Sequence, residues 1–310
     1  MNQPSPQTPA GLIELSFNDF QIWDNKETKP DNTTPMLVPI AGDASDKLMY
    51  RLINHHLQLI CMSFQVWSGG FGGDPENWLA MQKALFTMDI PVPYLVGVDK
   101  KNFCIWIHDL GDEFIISKVK NNQLTKTTGK INTVLDYYKE ALEILVKAQY
   151  PNHKIFHPAL ERHFDFEKLM SEIVFFIDKF LNKFLNLSVS LDKEEYAELN
   201  NEIKNIVHFL DSRQRVLCHR DYHSRNIMIY NRRVFWIDFQ DARMGPHTYD
   251  VVSLLRDSYV NIDWEIRLSL FKYYKEILNK KRCELSLIPI SEDDLDYEFM
   301  IMGLQRNIKA

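Results

Sequence analysis

The run His219-Arg220-Asp221-Tyr222-His223-Ser224-Arg225-Asn226 constrains this chain more than any other stretch. Strand-like apolar residues enter it (Val216-Leu217-Cys218) and leave it (Ile227-Met228-Ile229-Tyr230). Asn231-Arg232-Arg233 then turns the chain into Val234 to Ile237, and Asp238-Phe239-Gln240 follows. An Asp, an Asn five residues on and a second Asp after a hairpin are the layout of a phosphoryl-transfer site. Asp221 would orient the attacking hydroxyl and accept its proton late. Positioning and charge stabilisation dominate that chemistry, so no raised pKa is required. Asn226 and Asp238 are oxygen donors suited to Mg²⁺, a hard cation that keeps water and substrate phosphates as its other ligands. Either triplet alone is a weak signal. In this order, at this spacing and between β-type runs, the two are specific.

The bulk composition narrows the setting. With 310 residues the chain has material for one or two domains and an ample core. Its net charge of -6, with no basic tail or stripe, argues against nucleic acid as main partner. The first 20 residues hold no Lys or Arg and no long apolar stretch, and no apolar run is long enough to span a bilayer. A cytoplasmic protein without a membrane partner is expected. Cys61, Cys104, Cys218 and Cys283 form no CxxC pair, which fits free thiols in a reducing compartment. His219 and His223 have HxxxH spacing, but they follow a strand and lie in no evident helix, so a zinc pair is set aside.

Periodicity divides the chain in two. Residues 1–10 are Pro-rich and predict a mobile tail, and Leu12 to Trp23 has helical spacing. Strands are expected at Met36 to Ile40, Leu48 to Ile53, Leu57 to Phe64, Tyr94 to Val98 and Phe103 to Ile107. One helix, Asn77 to Met88, interrupts them and is stopped by Pro91 and Pro93. Beyond Asp109-Leu110-Gly111-Asp112 the pattern turns helical: Thr133 to Tyr150, Phe166 to Phe184, Glu194 to Leu210, Tyr249 to Tyr259, Trp264 to Leu278 and Glu292 to Lys309. The expected fold class is α+β, a two-lobed protein-kinase-like fold. Residues 11–108 form a small mixed-sheet nucleotide-binding lobe, 109–116 a hinge, and 117–310 a larger helical lobe with the catalytic hairpin.

Further residues take candidate roles from their chemistry. Gly42, Asp43, Ala44 and Ser45 join two small-lobe strands, where small side chains let backbone N–H groups approach phosphates. Lys47, beside that turn, either reaches the phosphates or is a solvated hairpin residue. His219 and Arg220 brace the catalytic loop, and Asp250 caps a helix and ties the loop down. The acceptor side falls to His223, Arg225, Asp241 and Arg243. Arg225 suits a phosphate, a substrate carboxylate or a structural ion pair. Asp241 and Arg243 suit a polyol or acidic acceptor, or a solvated loop pair.

The runs His219 to Asn226, Asp238-Phe239-Gln240-Asp241-Ala242, Gly245-Pro246 and Tyr249 to Asp257 resemble the aminoglycoside phosphotransferase/choline kinase superfamily. Within it they are most similar to bacterial anomeric kinases of N-acetylmuramate and N-acetylglucosamine. Ala41 to Ser45, Asp109 to Asp112 and Met302-Gly303-Leu304-Gln305-Arg306 extend the likeness over most of the chain. The resemblance implies transfer from ATP, with Mg²⁺, to a sugar C1 hydroxyl in cell-wall sugar recycling. It assigns Asp221 as base, Asn226 and Asp238 as metal ligands, and the backbone from Trp106 through Ile107 to Asp109 as the adenine-binding hinge. Three departures stand out. Cys61-Met62-Ser63-Phe64-Gln65 replaces a Met-Asp-Ala-Pro-Pro run, Lys47-Leu48 and a later Arg51 replace an Arg pair, and the chain stops at Ala310 where relatives continue. A shortened C-terminal end is therefore expected. Another small hydroxyl acceptor, or a nucleotide-binding pseudokinase, are the alternative readings.

Overall fold

The computed structural model describes residues 15–22, 34–40, 47–67, 74–119, 123–125, 131–152, 155–184 and 193–309. Its first half is a sheet in the order β1-β2-β3-β4-β6-β5, from β1 (Gln21–Ile22), β2 (Met36–Ile40), β3 (Leu48–Ile53), β4 (Leu59–Ser63), β5 (Leu95–Asp99) and β6 (Cys104–His108). All neighbours are antiparallel except β1 and β2. Alternation in β4 builds both faces of this sheet. Leu59 and Cys61 join Leu37, Tyr50 and Trp106 on one side. Ile60 and Met62 join the helix α1 (Pro75–Thr87) on the other, through Trp78, Met81 and Leu85. Asp74 caps α1 by accepting from Glu76 N at 2.9 Å, and Pro75 occupies its first turn.

The N-terminal expectation is corrected. Leu12 to Trp23 is not a helix in its described part, which holds a 3₁₀ turn, Phe17–Asp19, and the strand β1. Phe17 packs edge-on against Tyr50 with centroids 5.5 Å apart, Phe20 lies 5.4 Å from Trp106, and Phe17 N donates to Asp99 at 2.9 Å. Aromatic anchoring on the sheet outweighs the weak helical periodicity, and the sheet gains a sixth strand. The tail, residues 1–10, lies outside the described residues.

After the sheet come β7 (Gln123–Leu124), α2 (Ile131–Gln149), α3 (Phe166–Phe176) and α4 (Lys193–Asp211). The predicted helix to Phe184 holds its α geometry only to Phe176; Ile177–Phe184 widens into π-helical turns with Phe176, Phe180 and Phe184 stacked along it. Then follow β8 (Val216–Cys218), β9 (Ile227–Tyr230), β10 (Arg233–Trp236) and β11 (Arg243–Gly245). Asn231 (φ 49°) and Arg232 (φ 62°) make the β9–β10 turn, in the left-handed conformation that two-residue hairpins demand. The chain ends with α5 (Tyr249–Leu255), β12 (Asn261–Ile262), α6 (Trp264–Glu284) and α7 (Glu292–Lys309). Helix α5 stops before the predicted Tyr259 because Asp257 is needed elsewhere: its carboxylate accepts from Ser224 N at 2.9 Å and Tyr259 N at 2.8 Å. No described helix is long and apolar enough to cross a membrane, and all four cysteines are unpaired.

Candidate active site

Strand β8 delivers the chain into the 219–226 loop, and four anchors hold that loop. His219 N and Arg220 N donate to the two carboxylate oxygens of Asp250, in the first turn of α5, at 2.5 and 3.0 Å. This lets Arg220 sit at φ 83°, a conformation costly for a non-glycine residue. The His219 ring donates through Nε2 to Ile237 O at 2.8 Å, and burial holds its pKa below the usual histidine range. Tyr222 donates to Ala141 O in α2 at 2.7 Å and accepts from Trp236 Nε1 at 2.9 Å. Ser224 N is held by Asp257, as above. His219 N, Arg220 N and the Asp250 carboxylate thus form one hydrogen-bonded unit, and Tyr222 and Asp257 add contacts to the loop that motif reading missed.

Within the loop, Asn226 Nδ2 donates to Asp221 O at 3.0 Å, as does His223 N at 3.0 Å. The Asn226 amide nitrogen is thus engaged within the loop, and the residue lines the cleft described below. Asp238 has φ 60° and presents Oδ1 to Lys47 Nζ at 3.1 Å and Gln240 Nε2 at 2.9 Å. Burial opposes its ionisation, but the Lys47 charge and these hydrogen bonds win and hold its pKa below the usual carboxylate range. The Lys47 side chain is only 13% exposed, so it is not a solvated hairpin residue. A carboxylate and an amide oxygen are donors that fit a hard ion such as Mg²⁺, whose other ligands would come from substrate and water.

Asn226 and Asp238 line a cleft of about 350 Å³ between the sheet and the β9–β10 hairpin. Ile40, Met49, Ile60 and Met62 form its apolar roof, Met228 and Ile237 its floor, and residues 107–112 its back. Ile107 lines this back wall. Asp109 is engaged on both counts: its N–H donates to Gln58 O at 3.1 Å, and its carboxylate takes Arg51 at 2.6 and 3.1 Å. Arg51 also bonds Asp112 at 2.8 and 3.0 Å and Gly111 O at 3.1 Å, a clamp from β3 onto the connecting loop that sequence reading missed. Gly42, Asp43, Ala44 and Ser45 lie outside the described residues.

The acceptor candidates divide. Arg225 is exposed at the cleft and stacks over Tyr259 at 4.0 Å. His223 packs edge-on against the same ring at 5.1 Å, and burial lowers its pKa. Asp241 and Arg243 lie in the segment after Asp238, where Asp241 pairs with Arg220 at 3.3 Å, not with Arg243. Arg162 joins them, donating to Gln240 O at 3.0 Å. No motif pointed to Arg162, because it belongs to a loop far away in sequence.

Residues 174–284 match the sequence profile described as the phosphotransferase enzyme family, a span that includes Asp221, Asn226, Asp238 and Asp250. The chain is 29% identical over 233 residues to an N-acetylmuramate/N-acetylglucosamine kinase of Neisseria meningitidis, covering 75% of this chain and 65% of that relative, just under two thirds of its length. A kinase of the same name from Pseudomonas aeruginosa is 26% identical over 277 residues, covering 88% and 74%. Among solved structures, an ADP-bound aminoglycoside phosphotransferase superposes with TM-score 0.55 at 14% identity, covering 88% of this chain and 94% of that one. A choline kinase of Cryptosporidium parvum superposes with TM-score 0.57 at 12% identity, covering 89% and 81%. The fold is thus the two-lobed, protein-kinase-like α+β fold expected from the sequence.

Proposed function

We propose that this chain is an ATP-dependent kinase that phosphorylates the anomeric hydroxyl of an amino sugar, N-acetylmuramate or N-acetylglucosamine. The observation that carries the reading is that Asn226, whose amide nitrogen donates to Asp221 O, and Asp238 line one apolar cleft. The cleft suits a nucleotide: apolar walls for a base, and the polar side chains of Lys47, Asn226 and Asp238 for phosphates. Adenine would stack between Ile60 and Met228, against the 107–110 backbone. Mg²⁺ held by Asn226 and Asp238 would neutralise phosphate charge when bound. Asp221 receives the sugar hydroxyl, fixes its direction of attack and takes its proton as the new bond forms. Lys47, whose ammonium donates to Asp238 at 3.1 Å, would pair with the phosphates. The hinge at 109–116, a cytoplasmic setting where ATP is available and a role in cell-wall sugar recycling belong to the same reading. The names of the two bacterial relatives support the sugar class.

The test is Mg·ATP turnover against a panel of both sugars, choline and an aminoglycoside. The expected product is an acid-labile sugar 1-phosphate. Transfer to choline or the aminoglycoside with none to either sugar would replace the sugar reading, and no transfer at all would favour the pseudokinase.

A further inference from the structure

Three guanidinium groups lie near one another and near Asp241, next to the 219–226 loop, with few partners. Arg162 comes from the loop after a 3₁₀ turn, Arg220 from the catalytic loop and Arg243 from β11. Met244 N donates to Arg162 O at 2.8 Å and Phe164 N to Met244 O at 2.9 Å, so 162–164 runs alongside β11. On its other edge Arg243 pairs in register with Cys218, whose strand leads directly into Arg220 and Asp221. Each guanidinium offers five N–H donors. Arg162 uses one on Gln240 O, at 3.0 Å. Arg220 reaches Asp241 at 3.3 Å and Asp221 at only 3.8 Å. The Arg243 side chain has neither a hydrogen bond nor an ion pair among the described residues. The Nε atoms of all three are shielded from water and make no hydrogen bond.

The charge balance is uneven. Asp241 pairs with Arg220 at 3.3 Å, and Asp221 lies 3.8 Å from the same guanidinium. Burial lowers the Arg162 pKa, and Arg243 and Arg220 lower it further against the pull of Asp241, so the groups repel one another. A cluster built only to fasten loops would spend its donors on loop carbonyls and carboxylates. The nucleotide does not account for it either, because none of the three lines the apolar cleft. All three side chains are half-buried and keep an open face. Planar forks in such a setting fit a carboxylate, which two guanidinium groups can grip in bidentate fashion.

We propose that Arg162, Arg220 and Arg243 form a carboxylate-binding subsite for the acceptor, and that the preferred acceptor is an acidic sugar rather than a neutral one. This rests on the sugar-kinase reading above. N-acetylmuramate differs from N-acetylglucosamine by a carboxylate-bearing lactyl ether, which makes it the natural probe.

The experiment is calorimetric titration of N-acetylmuramate, its methyl ester and N-acetylglucosamine into wild-type protein, Arg243→Gln and Arg162→Gln, with phosphate transfer measured in parallel. Wild type should bind the acid ~10–100-fold more tightly than the ester, the span of one or two charge-assisted hydrogen bonds. In either variant that ratio should shrink towards one. Equal wild-type affinity for acid and ester overturns the subsite while phosphate transfer to N-acetylglucosamine keeps the kinase reading. Neither binding nor transfer with any of the three overturns both. The wild-type comparison of acid with ester decides the matter even if a variant fails to fold.

Discussion

Asp221 and Asp238 carry the same charge but are held differently, and their substitutions should separate. Asp221 is half-exposed at a loop turn, while Asp238 is fixed by Lys47 and Gln240. Asp221→Asn should lower turnover by ~10²–10⁴ and leave nucleotide affinity nearly intact, as loss of a general base does. Asp238→Asn should weaken Mg·ATP binding as well, because it removes a negative ligand. Steady-state kinetics with nucleotide titration distinguishes them; two variants both near wild type would remove the kinase assignment. Lys47→Ala should weaken ATP by ~1–3 kcal/mol, the range for a hydrogen bond to a charged group, without changing adenosine affinity. Calorimetry with both ligands checks it. Local spacing made Asp221, Asn226 and Asp238 legible in the sequence. It could not reveal that Lys47 meets a carboxylate 191 residues away, or that Arg162 stands 78 residues from the carbonyl it bonds. Such meetings are products of tertiary folding and leave no periodic or motif trace.

The first turn of α5 shows how one helix governs a loop it does not belong to. Burial drives the Asp250 carboxyl up to about 7 despite the two N–H groups it accepts from. A carboxyl with a raised folded pKa holds more protons folded than unfolded. Its favourable contribution is complete below the ordinary carboxylate range and is lost as pH rises through about 7. Asp250→Asn should cost ~1–3 kcal/mol, since the amide leaves a buried backbone donor unmatched. That cost should be larger at about pH 5 than at about pH 8, as read from denaturant midpoints. A cost that grows with pH would contradict it. The central strands and α2, α4 and α7 were readable within a few residues, because their apolar periods are dictated by the cores they bury. Periodicity misled at the N-terminus, where aromatic side chains seek the sheet, and at Phe176, where stacked rings continue along a widened helix.

The two halves of the molecule share one apolar core, and polar ties reinforce it. Arg51 clamps the connecting loop, Asn77 of α1 donates to Gln240 O at 2.7 Å, and Trp236 N donates to Pro91 O at 2.8 Å. Trp78 packs on Phe239 with ring centroids 5.4 Å apart, so the residue after Asp238 touches the small lobe directly. The catalytic loop, by contrast, borrows its shape: Ala141, Trp236, Asp250 and Asp257 hold it, and all of them belong to the helical half. A borrowed shape cannot outlive its lender. Catalytic competence should thus act as a reporter for the helical half, vanishing at the same denaturant concentration as the helical circular-dichroism signal. Activity that disappears well before that signal would mean that the loop melts on its own and that its anchors are weaker than their geometry implies.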